Sequence, residues 1–135
     1  MNTQQYLEQL KSGEEMKFLD FTDFTDFTDF TDLIDNEYTF VPTAFMNADL
    51  ANKDDENQGS AKVFCFGLMH SLSEREVVKC FGEHYQSVLD SPQDQSSHLN
   101  IRSFMNSGWG GVTNDFSDLT IKENINDTSS FRRRK

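Results

Sequence analysis

Basic residues are the first thing this chain is short of: 12 Lys and Arg stand against 23 Asp and Glu, a net charge of −11 in 135 residues. Phosphate backbones are held by assembled positive surface, so nucleic-acid binding is not expected. The basic cluster Arg132-Arg133-Arg134-Lys135 follows a stretch of Asn, Asp, Thr and Ser and reads as part of a solvated tail. Long apolar runs are also missing, so no membrane span is expected. The N-terminus lacks the basic-then-apolar order of a signal peptide, and the expected location is the cytoplasm. Cysteine is rare: Cys65 and Cys80 both sit in apolar stretches, where free thiols behave as small hydrophobes, and a reducing compartment suits them better than a disulfide framework. Of the two prolines, Pro42 marks an edge strand or extended arm and Pro92 closes a helix.

What the chain does contain is phenylalanine, 13 of them, enough to furnish the core of one domain of this length. The stretch from Gly59 to Leu89 organises that core. Ser73-Glu74-Arg75-Glu76 is a capping box flanked by the staple residues Leu72 and Val77, and Val77, Phe81, Tyr85 and Val88 then recur on one helical stripe. The preceding run, Ala61 to Met69, is apolar almost all round; a buried strand is the alternative, and helix is the reading adopted, with Ala61, Phe64, Cys65, Leu68 and Leu72 at helical offsets. A short connection over Met69 to Ser71 makes the pair an αα-hairpin. A third helix is expected from a Ser97 cap, with Ile101, Phe104 and Met105 inward and Gly108 ending it. Thr3 is the expected cap of a first helix carrying Tyr6, Leu7 and Leu10, and Asn47-Ala48-Asp49 is a turn. The fold class is therefore mainly α, with α+β as the alternative: a helical bundle with an N-terminal helical arm and one short extended or β-hairpin segment.

Four copies of Phe-Thr-Asp run from Phe21 to Asp32, after Phe18-Leu19-Asp20. A spacing of three advances 300° on an α-helix, so Phe18, Phe21, Phe24, Phe27 and Phe30 drift round the cylinder and share no face. The run is read as an in-frame expansion, over about residues 18–32, of a helix that needs only the last copy or two. The functional alternative is a partner surface built from Phe18, Phe21, Phe24 and Phe27.

Several fragments can then be read together: Pro42-Thr43-Ala44-Phe45, Gln58-Gly59-Ser60-Ala61-Lys62, Cys80-Phe81-Gly82-Glu83-His84-Tyr85, and His98-Leu99-Asn100-Ile101-Arg102 leading to Gly108-Trp109. In order and spacing they resemble the HopJ family, named for a type III secretion effector of a plant-pathogenic bacterium. The resemblance covers about residues 38–112 and implies a small, mostly helical bacterial protein. It implies no activity and no catalytic residues. The chain departs from the family pattern at Ala48, where glycine is usual, and in the lengthened Phe-Thr-Asp run. A single domain over 1–121 and a polar tail over 122–135 are expected.

The polar residues suggest one candidate pocket for a carboxylate or phosphate-bearing small molecule: Lys62, His84, Tyr85, His98, Arg102 and Trp109, with His98 in a helix first turn, where anions are favoured. Cys65, Cys80 and His84 are soft ligands, but their spacing is far from a zinc finger or ribbon, so neither metal nor cofactor is expected. Cys80 with His84 has the residue types of a thiolate pair without an oxyanion motif, and an enzyme is the less favoured class. The leading expectation is a non-catalytic module acting on an unidentified protein partner, with type III export as its possible setting; the alternative is the small-molecule pocket, as a binding protein or small enzyme.

Overall fold

The computed structural model describes residues 2–12, 26–113 and 119–121. In order these form α1 (Thr3–Ser12), α2 (Phe27–Glu37), the strands β1 (Tyr38–Phe40), β2 (Phe45–Asn47) and β3 (Leu50–Asn52), and the helices α3 (Gln58–Met69), α4 (Glu74–Lys79), α5 (Glu83–Asp90) and α6 (Leu99–Ser107). A 3₁₀ turn over Gly108–Gly111 leads to β4 (Val112–Thr113) and β5 (Leu119–Ile121). The architecture is mainly α with a β-hairpin, as expected, and further short strands join it. β2 and β3 make an antiparallel hairpin, β4 adds to the other edge of β2, and β1 pairs separately with β5. Strands of two or three residues carry no alternation that a sequence pattern can register.

The apolar run read as a helix is α3, and it lies at the centre. Ala61, Val63, Phe64, Cys65, Phe66 and Gly67 are all buried, which requires neighbours on nearly every side. On one side Phe66 meets Tyr6, Phe30 and Tyr38 edge-on, with ring centroids 5.4 to 5.9 Å away. On another, Phe64 contacts Phe45, Phe81, Phe104 and Trp109 at 5.2 to 6.1 Å. Such pairs contribute about 0.5–1.5 kcal/mol each beyond area burial, so α3 is held by two aromatic clusters. Leu68, placed on the inner stripe from sequence, is exposed.

The Ser73 capping box forms as expected, with the Ser73 hydroxyl accepting from the Glu76 amide and Glu76 accepting from the Ser73 amide. The single helix expected beyond it is broken between Lys79 and Glu83. Gly82 takes φ +57, and a Cβ there would lie 2.7 Å from the Phe27 nitrogen, so the break is where the start of α2 docks. Glu83 Oε1 accepts from the Phe27 amide at 2.7 Å, and Asp26 and Asp29 close a capping box at the same point.

The last two Phe-Thr-Asp copies belong to α2, where Phe30, Leu33 and Ile34 are buried. Phe27 is half-buried and stacks on Phe81 at 5.9 Å and Phe30 at 6.1 Å, inside the fold rather than on an exposed face. Phe18, Phe21 and Phe24, like the 122–135 tail, lie outside the described residues.

Two caps differ from expectation. Asn2, not Thr3, closes α1: its Oδ1 accepts from the Gln5 amide at 2.8 Å and its own amide donates to Gln5 Oε1 at 3.0 Å. The Thr3 hydroxyl instead donates to Glu37 Oε1 at 2.6 Å, which ties the arm to the end of α2. At α6 the cap position is His98 in the left-handed region, while the Ser97 hydroxyl donates to Asp94. Ile101 and Phe104 face inward; Met105 does not.

Candidate functional site

α3 and α6 begin side by side, and both begin unusually. Each starts from a left-handed residue, Asn57 (φ 52, ψ 40) and His98 (φ 52, ψ 45), and neither has a side-chain cap. The first-turn amides of both helices are thus left for solvent or a ligand, at the positive end of the helix dipole. Gly59 and Ser60 of α3 and Leu99, Asn100 and Ile101 of α6 line one cleft of about 460 Å³. Phe27, Leu50, Phe81 and His84 complete its walls.

His84, in the first turn of α5, and His98 face each other there with ring centroids 5.2 Å apart and planes inclined by 41°. The Phe27 ring meets His84 nearly at right angles at 5.1 Å and limits its rotation. Glu83 Oε2 lies 4.0 Å from His84 Nε2, at the outer limit of an ion pair. The cleft therefore offers two imidazoles, two helix starts and an apolar wall.

A buried asparagine network fixes the helix starts relative to each other. Asn100 Nδ2 donates to Asn52 Oδ1 at 2.9 Å, and Asn100 Oδ1 accepts from Asn47 Nδ2 at 3.0 Å and Asn52 Nδ2 at 3.3 Å. Asn57 Nδ2 also donates to Asn52 Oδ1, at 2.7 Å. Thus the residue that opens α3, the first turn of α6 and both strands of the β2–β3 hairpin share one set of hydrogen bonds. Buried amides left without such partners would cost about 1–3 kcal/mol each, so the network holds the cleft in shape before anything binds.

Of the six pocket residues expected from sequence, the structure brings His84 and His98 together and leaves four elsewhere. Lys62 pairs with Asp35 at 3.1 Å and lies over the Phe40 ring. Arg102 is turned onto the loop before α6, donating through Nε to the Ser97 carbonyl at 2.7 Å and through its terminal nitrogens to the Ser91 carbonyl and hydroxyl. Trp109 packs on Phe64 and Phe104 and donates through Nε1 to the Leu72 carbonyl. Tyr85 is half-buried against the core, and burial raises its hydroxyl pKa.

The soft ligands do not converge. Among the described residues no group of three His, Cys, Asp or Glu is arranged to hold a metal ion. Cys65 and Cys80 are buried thiols outside any disulfide, and burial pushes the Cys80 thiol up to about 12, which removes it as a nucleophile at neutral pH. The break at Gly82 also takes His84 off the helix that carries Val77, so Cys80 and His84 are not one turn apart on a common face. Asn57, Ser60 and Asn100 were not foreseen as site residues. The one available signal was Asn57 itself, since asparagine is enriched in left-handed positions.

Comparison with curated proteins finds no match. The chain is similar to the crystal structure of a protein of unknown function, VPA0580, with 36% sequence identity over 90% of this chain and 95% of that one and a TM-score of 0.79. Residues 3–119 match the family described as HopJ type III effector protein. With a family match over most of its length, the chain belongs to the HopJ type III effector protein family.

Proposed function

We propose that this HopJ-family protein binds a small anionic molecule in the cleft between His84 and His98. One observation carries the reading: two uncapped helix starts and two imidazoles converge on a single cleft with an apolar wall. A carboxylate or phosphate group fits the helix starts, where amide donors and the dipole favour negative charge, and imidazole N–H groups can add charge-assisted donors. Phe27, Phe81, Leu50 and Ile101 would receive the uncharged part of the ligand. Arg102 and Lys62 have no place in this site, because both are engaged elsewhere.

This reading is preferred to a partner face made of Phe-Thr-Asp repeats because Phe27 packs against Phe81 and His84. It is a binding function; nothing in the arrangement calls for a covalent step. Family membership supports type III export as the setting in which the site acts. Calorimetric titration with inorganic phosphate and a small aryl phosphate tests the proposal. The aryl phosphate is expected to bind more tightly, and His98→Ala to weaken it roughly tenfold, as loss of one charge-assisted donor should. Equal heats for wild type and His84→Ala/His98→Ala would remove the cleft from consideration.

A further inference from the structure

Leu50 and Leu99 form a partition, with the His84–His98 cleft on one side and a second, broader groove of about 1060 Å³ on the other. The groove runs between α5, α6 and the tip of the β2–β3 hairpin, with Val88 and Pro92 among its lining residues. Seven large apolar side chains are exposed among the described residues, and three of them line this groove: Leu89 (41% exposed), Leu99 (42%) and Met105 (47%). Exposed apolar residues scattered singly need no explanation, but three gathered in one trough mark an interaction surface.

The charge around the trough says what kind of partner fits. Asp49 and Asp94 line it, exposed Asp90 follows the lining residue Leu89 in sequence, and no lysine lines it. Arg102, the one cationic residue in the lining, directs its guanidinium to Ser91 and Ser97 on its own chain, with Asp94 at 3.8 Å. Asp94 is taken up by Ser96, Ser97 and Arg102 on its own chain, which leaves the exposed Asp49, with exposed Asp90 beside Leu89 in sequence, to meet positive charge from outside. A second copy of this chain would bring another −11 to the contact, which disfavours self-association.

We propose that this groove docks an amphipathic helix of a protein partner, one with Lys or Arg flanking its apolar stripe. A helix laid in a trough places anchors at i, i+3 or i+4 and i+7, and Met105 and the leucines supply adaptable apolar contacts for them. The basic flanks meet Asp49 and the field of Asp90, which favours rapid, salt-sensitive association and sets orientation. This site is independent of the anion cleft, although the two share the Leu50–Leu99 partition.

The test uses the full chain and a labelled amphipathic peptide of about 18 residues, Leu on one stripe and Lys beside it, with a scrambled peptide of the same composition as control. Fluorescence anisotropy should show saturable binding of the amphipathic peptide and much weaker binding of the scramble. Leu89→Glu and Met105→Glu should each reduce affinity roughly tenfold or more, as loss of a central anchor does. Asp49→Lys, at an exposed turn position that leaves packing untouched, should reduce it several-fold and flatten the salt dependence. The proposal is overturned if both peptides bind alike, if the three variants bind as wild type does, or if sedimentation shows a dimer that Met105→Glu dissociates, which would make a second copy the occupant.

Discussion

Replacing Ala48 by glycine should make this protein more stable. Ala48 sits at the tip of the β2–β3 hairpin with φ 55, a conformation that brings the Cβ of an L-residue against the following carbonyl. That conflict costs about 1–2 kcal/mol, and glycine does not incur it. Against this, glycine loses more backbone freedom on folding, about 0.5–1 kcal/mol relative to alanine. Ala48 is half-buried and loses only a methyl group, and its amide donates to the Gly111 carbonyl at 2.7 Å, a bond the variant keeps. The net gain is roughly 0.5–1 kcal/mol, which for a domain of this size raises Tm by roughly 2–5 °C. Differential scanning calorimetry on the pair, with urea denaturation to check that the m-value is unchanged, measures it directly. A lower Tm for Ala48→Gly would refute the left-handed turn, and with it the packing of the hairpin tip against the Gly111 carbonyl.

Three further outcomes follow from the same structure. Asn100→Ala removes three side-chain hydrogen bonds, while Asn47 Nδ2 keeps the residue-100 carbonyl and Asn52 Nδ2 keeps the Leu50 carbonyl, so urea unfolding should show a loss of roughly 2 kcal/mol; a loss below about 1 kcal/mol would mean the asparagine network does not hold the two helix starts together. Burial lowers the His70 pKa from its usual 6.5, and ring Nε2 shares a hydrogen bond with the Tyr38 hydroxyl at 2.8 Å. Because the folded value lies below the unfolded one, the contribution is fully present above pH 6.5 and is lost as pH falls through the folded pKa. The stability advantage of wild type over His70→Leu, followed by denaturant midpoint, should therefore shrink on acidification; a gap that widens contradicts it. Deleting Phe21 to Asp26 places Asp20 directly before Phe27, where it can take over the Asp26 cap, so circular dichroism should show cooperative unfolding in this variant; loss of cooperativity would show that the first two repeats are not an expansion.

Local signals were the legible part of the sequence. The Ser73 box and the helical Ala61–Met69 run depend on neighbours within a few residues, and both form in the structure. The break at Gly82 was not legible, because the stripe Val77, Phe81, Val88 keeps helical spacing across it and its cause is the distant N-terminus of α2. Arg102 was misread for a related reason. Its position one turn from His98 fitted a pocket, but His98 lies outside the helix in a left-handed conformation, and the guanidinium closes on Ser91 and Ser97 instead. The asparagine network joins residues 48 and 53 positions apart, and no periodicity encodes it. What survives of the expected pocket is its pair of histidines, brought together by α5 and α6.

The most direct test of the anion cleft is a two-dimensional ¹H–¹⁵N spectrum of the full chain titrated with inorganic phosphate. The account predicts saturable shifts centred on the amides of Gly59, Ser60, Asn100 and Ile101, with the His84 and His98 ring protons moving together and the whole response lost in His84→Ala/His98→Ala. Shifts confined to Arg132–Lys135, or a spectrum that phosphate leaves unchanged, would contradict it.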